Sequence, residues 1–341
     1  MKKLVSLSLA LMLLLGVLAI PAMADEPLSV GQLAFLNLSE QDGALISNQR
    51  SPAIHILFLN GVMEDTNVRY NLEYHYFDSL PELIMALQAK TVEGIILPYY
   101  TAKYLCATNE GVRTAATYHP EKLNESAQRA LDTISDGYSF LLKEDNASLR
   151  NDFDAQITAM KEDGTLQKLI DEHIIKVAEG GEPVAVRFEQ FEGDPIKVGV
   201  TGDLPPMDYV SADGSFNGFN TAVLAEIGRR LQKNIELVQV MSVGRSLALS
   251  EGRVDVVFWT RGMTDTGIEF RKNGAGLSEE ELDTMVKGDM AQMTEEEKAI
   301  VESISMPAVE ELQMFDNRDM PADTIVTQPY FSDFPVLVIL K

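Results

Sequence analysis

Side chains that could do chemistry unaided are few in this sequence, and none are spaced to work together. Cys106 is the only cysteine, so it can form no disulfide within the chain, and no histidine stands near it in sequence to take its proton. It reads as a structural thiol at a helix end in YTAKYLCATN. His55, His75, His119 and His173 are scattered without metal-ligand spacing. GxSxG, HExxH and phosphate-loop patterns are absent, so hydrolytic, zinc-dependent and nucleotide chemistry have no signature to rest on. The expectation is a protein that binds and does not catalyse, with no metal and no cofactor. Asn37, Asn124 and Asn146 open Asn-x-Ser/Thr triplets, but the bacterial character of the leader argues against glycans there.

That leader is the first 24 residues. Lys2 and Lys3 precede an apolar run from Leu4 to Ile20, and Ala22-Met23-Ala24 puts small residues where a signal peptidase reads them. Cleavage is expected before Asp25, and no cysteine follows to carry a lipid. The run is shorter than the roughly 20 residues that span a bilayer. Without the leader, 26 basic groups face 52 acidic ones, a formal charge of −26. A surface so acidic disfavours nucleic acid and anionic membranes as partners. A periplasmic or secreted monomer is expected, with enough apolar residues for about two domains.

Two segments run nearly in step. NLEYHYFDSLPELIMALQAKTVEGIILP (71–98) aligns with NIELVQVMSVGRSLALSEGRVDVVFWT (234–260) across one gap, so that Val92-Glu93 faces Val254-Asp255. Each reads as strand, helix, strand, and each has an opening strand upstream, LSVGQLAF (28–35) and IKVGVTGD (196–203). Such alternation predicts an α/β fold of mostly parallel sheets flanked by helices. SDGYSFLLK (135–143) and SDFPVLVILK (332–341) match as closing strands. The expected organisation is two tandem units, 25–178 and 195–341, joined by a linker at 179–194 where Gly180-Gly181, Pro183 and Gly193 interrupt regular structure. An insertion at 268–323 carries two capping boxes, Ser278/Glu281 and Thr294/Glu297, heading short acidic helices. It reads as a solvated surface element, with a lid or partner-docking role as the alternative.

Residues 196–264 carry the resemblance that names a family. An opening strand, a Pro205-Pro206 turn, Gly218-Phe219-Asn220 opening a helix, a second strand, a helix, SEGRVDV and a strand with a Thr-containing end follow in that order. This resembles the first lobe of the family 3 extracellular solute-binding proteins, the polar amino-acid receptors of ABC importers. QPYFSDFPVLVILK (328–341) looks like the hinge segment of that family. The tail of the first unit, 136–174 with its DGTLQKLIDEHI ending, resembles the family's closing segment.

The resemblance implies type 2 periplasmic-binding-protein lobes that close like a flytrap on a small polar solute and deliver it to ABC permease subunits. Carried over by position, the ligand contacts it implies are Asp208, Tyr209, Phe219, Asn220, Trp259, Thr260, Arg261 and Thr264. Tyr99, Tyr100 and Asp78 are the corresponding candidates in the first unit. The sequence departs from the pattern where amino-acid binders carry Thr-x-x-Arg: here Thr264-Asp265-Thr266-Gly267 lacks the guanidinium that would hold a carboxylate, and nearby Arg261 is the candidate to take its place. A degenerate binding fold working as an extracellular sensor or scaffold is the alternative reading.

Overall fold

The computed structural model describes residues 27–34, 54, 57, 58, 60–64, 72–261 and 320–341. The leader, Thr264 and nearly all of the 268–323 insertion lie outside these residues.

Strand-forming runs give sixteen strands among the described residues. In chain order they are β1 (Leu28–Leu33), β2 (Met63–Glu64), β3 (Leu72–Phe77), β4 (Gly94–Pro98), β5 (Val112–Thr114), β6 (Thr117–Tyr118), β7 (Asp136–Lys143) and β8 (Ile196–Val200). There follow β9 (Asp203–Leu204), β10 (Asp208–Val210), β11 (Phe216–Asn217), β12 (Ile235–Gln239), β13 (Val256–Arg261), β14 (Thr324–Val326), β15 (Phe331–Asp333) and β16 (Pro335–Leu340). The helices that flank them are α1 (Leu80–Gln88), α2 (Tyr99–Thr108), α3 (Glu125–Ile134), α4 (Ala147–Glu162), α5 (Thr165–Ile170), α6 (Phe219–Leu231) and α7 (Arg245–Ser250). A π-helical turn, Asp171–Ile175, carries α5 on to a last helical turn at Lys176–Ala178.

Sheet I has the order β3-β1-β4-β16-β5, and sheet II the order β12-β8-β13-β7, closed at its edge by β14 and β15 on β7. In each, three parallel strands are followed by one antiparallel strand, β16 on β4 and β7 on β13. The internal repeat is therefore a repeat of topology. Its aligned acids even do the same work: Glu93 accepts from Ser29 N at 3.1 Å and Asp255 from Lys197 N at 2.8 Å, pinning the strand that precedes each in its sheet.

The closing strands are exchanged, and this corrects the expectation of two tandem units. β7 lies in the first half of the chain but completes sheet II, pairing Val256↔Leu142 through Arg261↔Gly137. β16 lies in the second half but completes sheet I, pairing Pro335↔Pro98 through Ile339↔Gly94. The physical reason is that each set of three parallel strands leaves an unpaired edge whose N–H and C=O groups need a partner. The partner comes from the other half. Glu179 to Pro195 contain no helix or strand, and this stretch does not join two bodies. It runs along the lobe built on sheet II (lobe II, with lobe I built on sheet I), tied by Val186 N to Asn217 Oδ1 and Phe191 N to Asn234 Oδ1.

Side-chain alternation along β7, β8 and β13 gives sheet II two apolar faces. Tyr138, Phe140, Leu142, Val198, Val256 and Phe258 pack with α4 and α6 on one side, while Leu141, Val257 and Trp259 pack with α7 on the other. The stripe Phe219, Val223, Leu224 and Ile227 seats α6 in the larger core. Gly218 starts that helix at φ 108, where a Cβ would stand 2.6 Å from the Met207 carbonyl oxygen. No other residue fits there.

Candidate functional site

Parallel strands end in loops, and the loops of both sheets end at the same place. β4 stops at Pro98, opposite Pro335, and β13 stops at Arg261, opposite Gly137. The chain passes between the sheets twice there, from α3 through Ser135 into β7 and from β15 through Phe334 into β16. The two passages touch, since Asp333 pairs with Asp136. The carboxyl ends of both parallel sets thus lie toward one pair of adjacent crossings, the position where open α/β sheets hold ligands.

Lobe I lines the crossing with rings. Tyr99 stacks on Phe334 with centroids 4.9 Å apart, and meets Tyr100 and Tyr118 edge-on at 5.1 and 5.2 Å. From lobe II, Phe331 reaches Tyr100 at 6.0 Å and Tyr138 at 5.6 Å. These rings bury a carboxyl: Asp333 is only 3% exposed. It accepts from Tyr100 N at 3.1 Å and from Phe334 N at 2.9 Å. Burial outweighs those two bonds and, with Asp136 nearby, pushes its pKa up to about 8. The Tyr100 and Tyr118 phenols are pushed up to about 12, mainly by burial, with the Asp333 charge adding to it. Lys103, also on α2, pairs with Glu179 at 3.0 Å and so ties α2 to the start of the stretch that runs along lobe II.

Lobe II supplies a lip, residues 201–204, held by a second buried carboxyl. Asp208, 3% exposed, accepts from Thr201 N at 3.0 Å, Gly202 N at 3.2 Å and Thr201 Oγ1 at 3.4 Å through one oxygen. Its other oxygen has no hydrogen-bond partner among the described residues. Burial raises its pKa to about 6 against those three bonds. On the lip, Leu204 packs against the cores of both lobes. Tyr209 stands half-buried, its phenol raised by burial and by the Tyr104 phenol of α2.

The residues implied by sequence thus divide. Tyr209 is half-buried on β10 beside the lip, and Thr260 is exposed at the end of β13. Arg261 is the last residue of β13, its backbone opposite Gly137. Phe219 is fully buried in the large core and packs against Tyr330 and Phe331, so it offers a solute nothing. Trp259 is 3% exposed in the α7-side core, with the Arg245 guanidinium 5.3 Å over its ring; alternation along β13 turns it away from the larger core. Asn220 is buried and accepts from the Tyr330 hydroxyl at 2.9 Å, which fastens α6 to the edge of sheet II. Asp208 is a support for the lip more than a surface of it. Thr264 falls outside the described residues. In the first unit, Tyr99 and Tyr100 do stand at the crossing, as the first residues of α2.

Sequence reasoning missed Asp333, Tyr118 and Tyr138. A signal for Asp333 existed: an acid between aromatic residues in YFSDFP, at the one point where two predicted closing strands share Ser-Asp. Among the described residues no group of three or more His, Cys, Asp or Glu side chains could hold a metal ion, and no helix is long and apolar enough to cross a membrane.

A family model matches one part of the chain. Residues 196–269 match the model of the bacterial extracellular solute-binding proteins, family 3. No curated protein sequence matches. Among solved structures, similarity extends to an ABC transporter periplasmic binding protein from Brucella ovis with glutathione bound, at 10% identity and a TM-score of 0.35 over 92% of this chain. The chain spans 62% of that protein's length. The arginine-bound truncated ArgBP from T. maritima is similar at 10% identity and a TM-score of 0.32, over 92% of this chain and 88% of that one. A ligand-binding component of an ABC-type import system from Staphylococcus aureus, with zinc bound, gives 10% identity and 0.34, over 89% and 86%.

Proposed function

We propose that this protein is the extracytoplasmic binding component of an ABC importer, closing two lobes on a small polar solute, an amino acid or a related compound, and presenting it to membrane permease subunits. The observation that carries this reading is the strand arrangement: two parallel strand sets with their carboxyl ends at a pair of adjacent crossings, in a chain whose residues 196–269 match a solute-binding family. Two crossings side by side let one lobe rotate on the other with few backbone torsions changing, and a solute held by both lobes would favour the closed population. Tyr209, Thr260 and Arg261 from lobe II, and Tyr99 and Tyr100 from lobe I, are the contacts proposed. The reading includes export from the cytoplasm and a monomeric state.

The test is thermal melting of the mature chain against amino acids, amines, opines and small peptides. One class is expected to raise Tm saturably by several degrees, as any ligand of the folded state must. No rise with any class would overturn the reading.

A further inference from the structure

The head of α2 is where a solute's negative group would sit against lobe I. A helix begins with N–H groups that have no partner within the helix, and together with the dipole they attract an anion. α2 opens into the crossing directly after β4, and its N-cap position is Pro98, which supplies no capping side chain. Its first two N–H groups are instead satisfied from the opposite crossing: Tyr99 N donates to Phe334 O at 2.8 Å and Tyr100 N donates to Asp333 Oδ2 at 3.1 Å. A carboxyl of the protein's own chain therefore stands where a bound carboxylate would stand. In the same turn, Thr101 Oγ1 is buried, its residue 1% exposed, with no hydrogen-bond partner among the described residues. Around this point, Asp136 from β7 faces Asp333, and Tyr99, Tyr100, Tyr118 and Tyr138 all feel its charge. Lys103, the cation that acts on Tyr99, is neutralised by Glu179.

We propose that Asp333 is a built-in occupant of the anion position at the head of α2, so that the crevice accepts solutes whose face toward lobe I is neutral or cationic and rejects those that present a carboxylate there. The proposal rests on the solute-binding reading and narrows it. It agrees with the sequence on the other lobe, where Thr264-Asp265-Thr266-Gly267 lacks an arginine for a carboxylate. With the anion position at the head of α2 already filled, the group that the solute presents to lobe I is an amine or a neutral polar group.

Inorganic sulfate is the probe. The full chain and Asp333→Ala are melted in increasing sodium sulfate, against sodium chloride of equal ionic strength, at neutral pH. The alanine chain is expected to gain a saturable rise in Tm of a few degrees that the parent lacks, because the Tyr100 and Phe334 N–H groups lose their carboxyl acceptor beside the unpartnered Thr101 hydroxyl. An alanine chain with the parent's circular dichroism and no sulfate response beyond the parent's would overturn the proposal. Should that chain not fold, the backbone amide resonances of Tyr99, Tyr100 and Thr101 are followed in the parent through the same titration. Resonances that stay in place support an occupied position, and saturable movement overturns it. Neither arm needs the natural solute, so a solute screen without a hit would sink the solute-binding reading while leaving this result to stand by itself.

Discussion

Two carboxyls carry the crevice and neither is a surface charge. Asp208 gathers three donors onto one oxygen and so fixes the lip at Thr201 and Gly202; Asp333 divides its bonds between two backbone N–H groups on either side of the hinge. Burial raises both above the ordinary 3.8, to about 6 and about 8. An acid whose pKa is higher in the fold than in the unfolded chain makes the fold bind extra protons between those two values. Stability is then greatest at low pH and is lost as pH rises through the folded value. Between pH 4 and 6 both groups contribute; from about 6 to 8 Asp208 is already ionised and the loss belongs to Asp333. Urea denaturation between pH 6 and 8 should therefore show stability falling with a slope approaching about 1.4 kcal/mol per pH unit, and Asp333→Asn should flatten it. A variant with the parent's slope would show that another group titrates there. Residue types were readable in the sequence, but the direction of a side chain was not. Trp259 and Thr260 are adjacent on one strand, one buried and one exposed, and only alternation against a known sheet face separates them.

At the scale of elements the sequence was more legible. The in-step segments become β3 and β12, α1 and α7, β4 and β13, because periodicity follows from which face is buried. The aligned acids Glu93 and Asp255 were visible as matching letters, though their shared bond to the preceding strand was not. α6 was legible from Gly218-Phe219-Asn220 opening a helix. Its start depends on backbone geometry that only glycine permits: Gly218 at φ 108, with Phe219 N donating to Pro206 O at 3.1 Å and Asn220 N to Met207 O at 2.8 Å. Gly214 also has positive φ, 83, but nothing within 4 Å of where its Cβ would be. Gly218→Ala should then destabilise the protein by about 3 kcal/mol or more, through strain and displacement of the Pro-Pro turn, and Gly214→Ala by about 1 kcal/mol from strain alone. Chemical denaturation of the two variants checks this, and equal losses would mean that the contact with Met207 is relieved at no cost.

Over the whole molecule, what was misread was which strand closes which sheet. Strand pattern says that β7 and β16 are closing strands and cannot say to which sheet each belongs, since both are aliphatic runs that suit either edge. The exchange explains why closing helices precede an opening strand in this chain. Followed from β8 to β16 and then from β1 to the end of α5, the elements describe lobe II opening, a crossing, the whole of lobe I, a crossing back, and helices that finish lobe II. Read from β8, the elements follow the order that the family resemblance implies, opening segment, hinge segment and closing segment, with Lys341 and Leu28 both in sheet I. The geometry there is favourable for rejoining: Ile339 lies opposite Gly94, and Gly94 opposite Val30. Lys341 and Leu28 are then at the same end of sheet I with only β4 between their strands, about 10 Å at ~4.8 Å per strand. A chain rejoined there by a few Gly and Ser residues and opened between Glu182 and Pro183 keeps every strand pairing, because Glu179 to Pro195 form none. It should fold with one cooperative transition within about 2 kcal/mol of the parent, the change in loop closure being small. Segments 25–178 and 195–341 made separately should each lack a closing strand and fail to unfold cooperatively, yet regain a transition when mixed. Two independent transitions from the separate segments would restore the tandem reading and remove the exchanged strands.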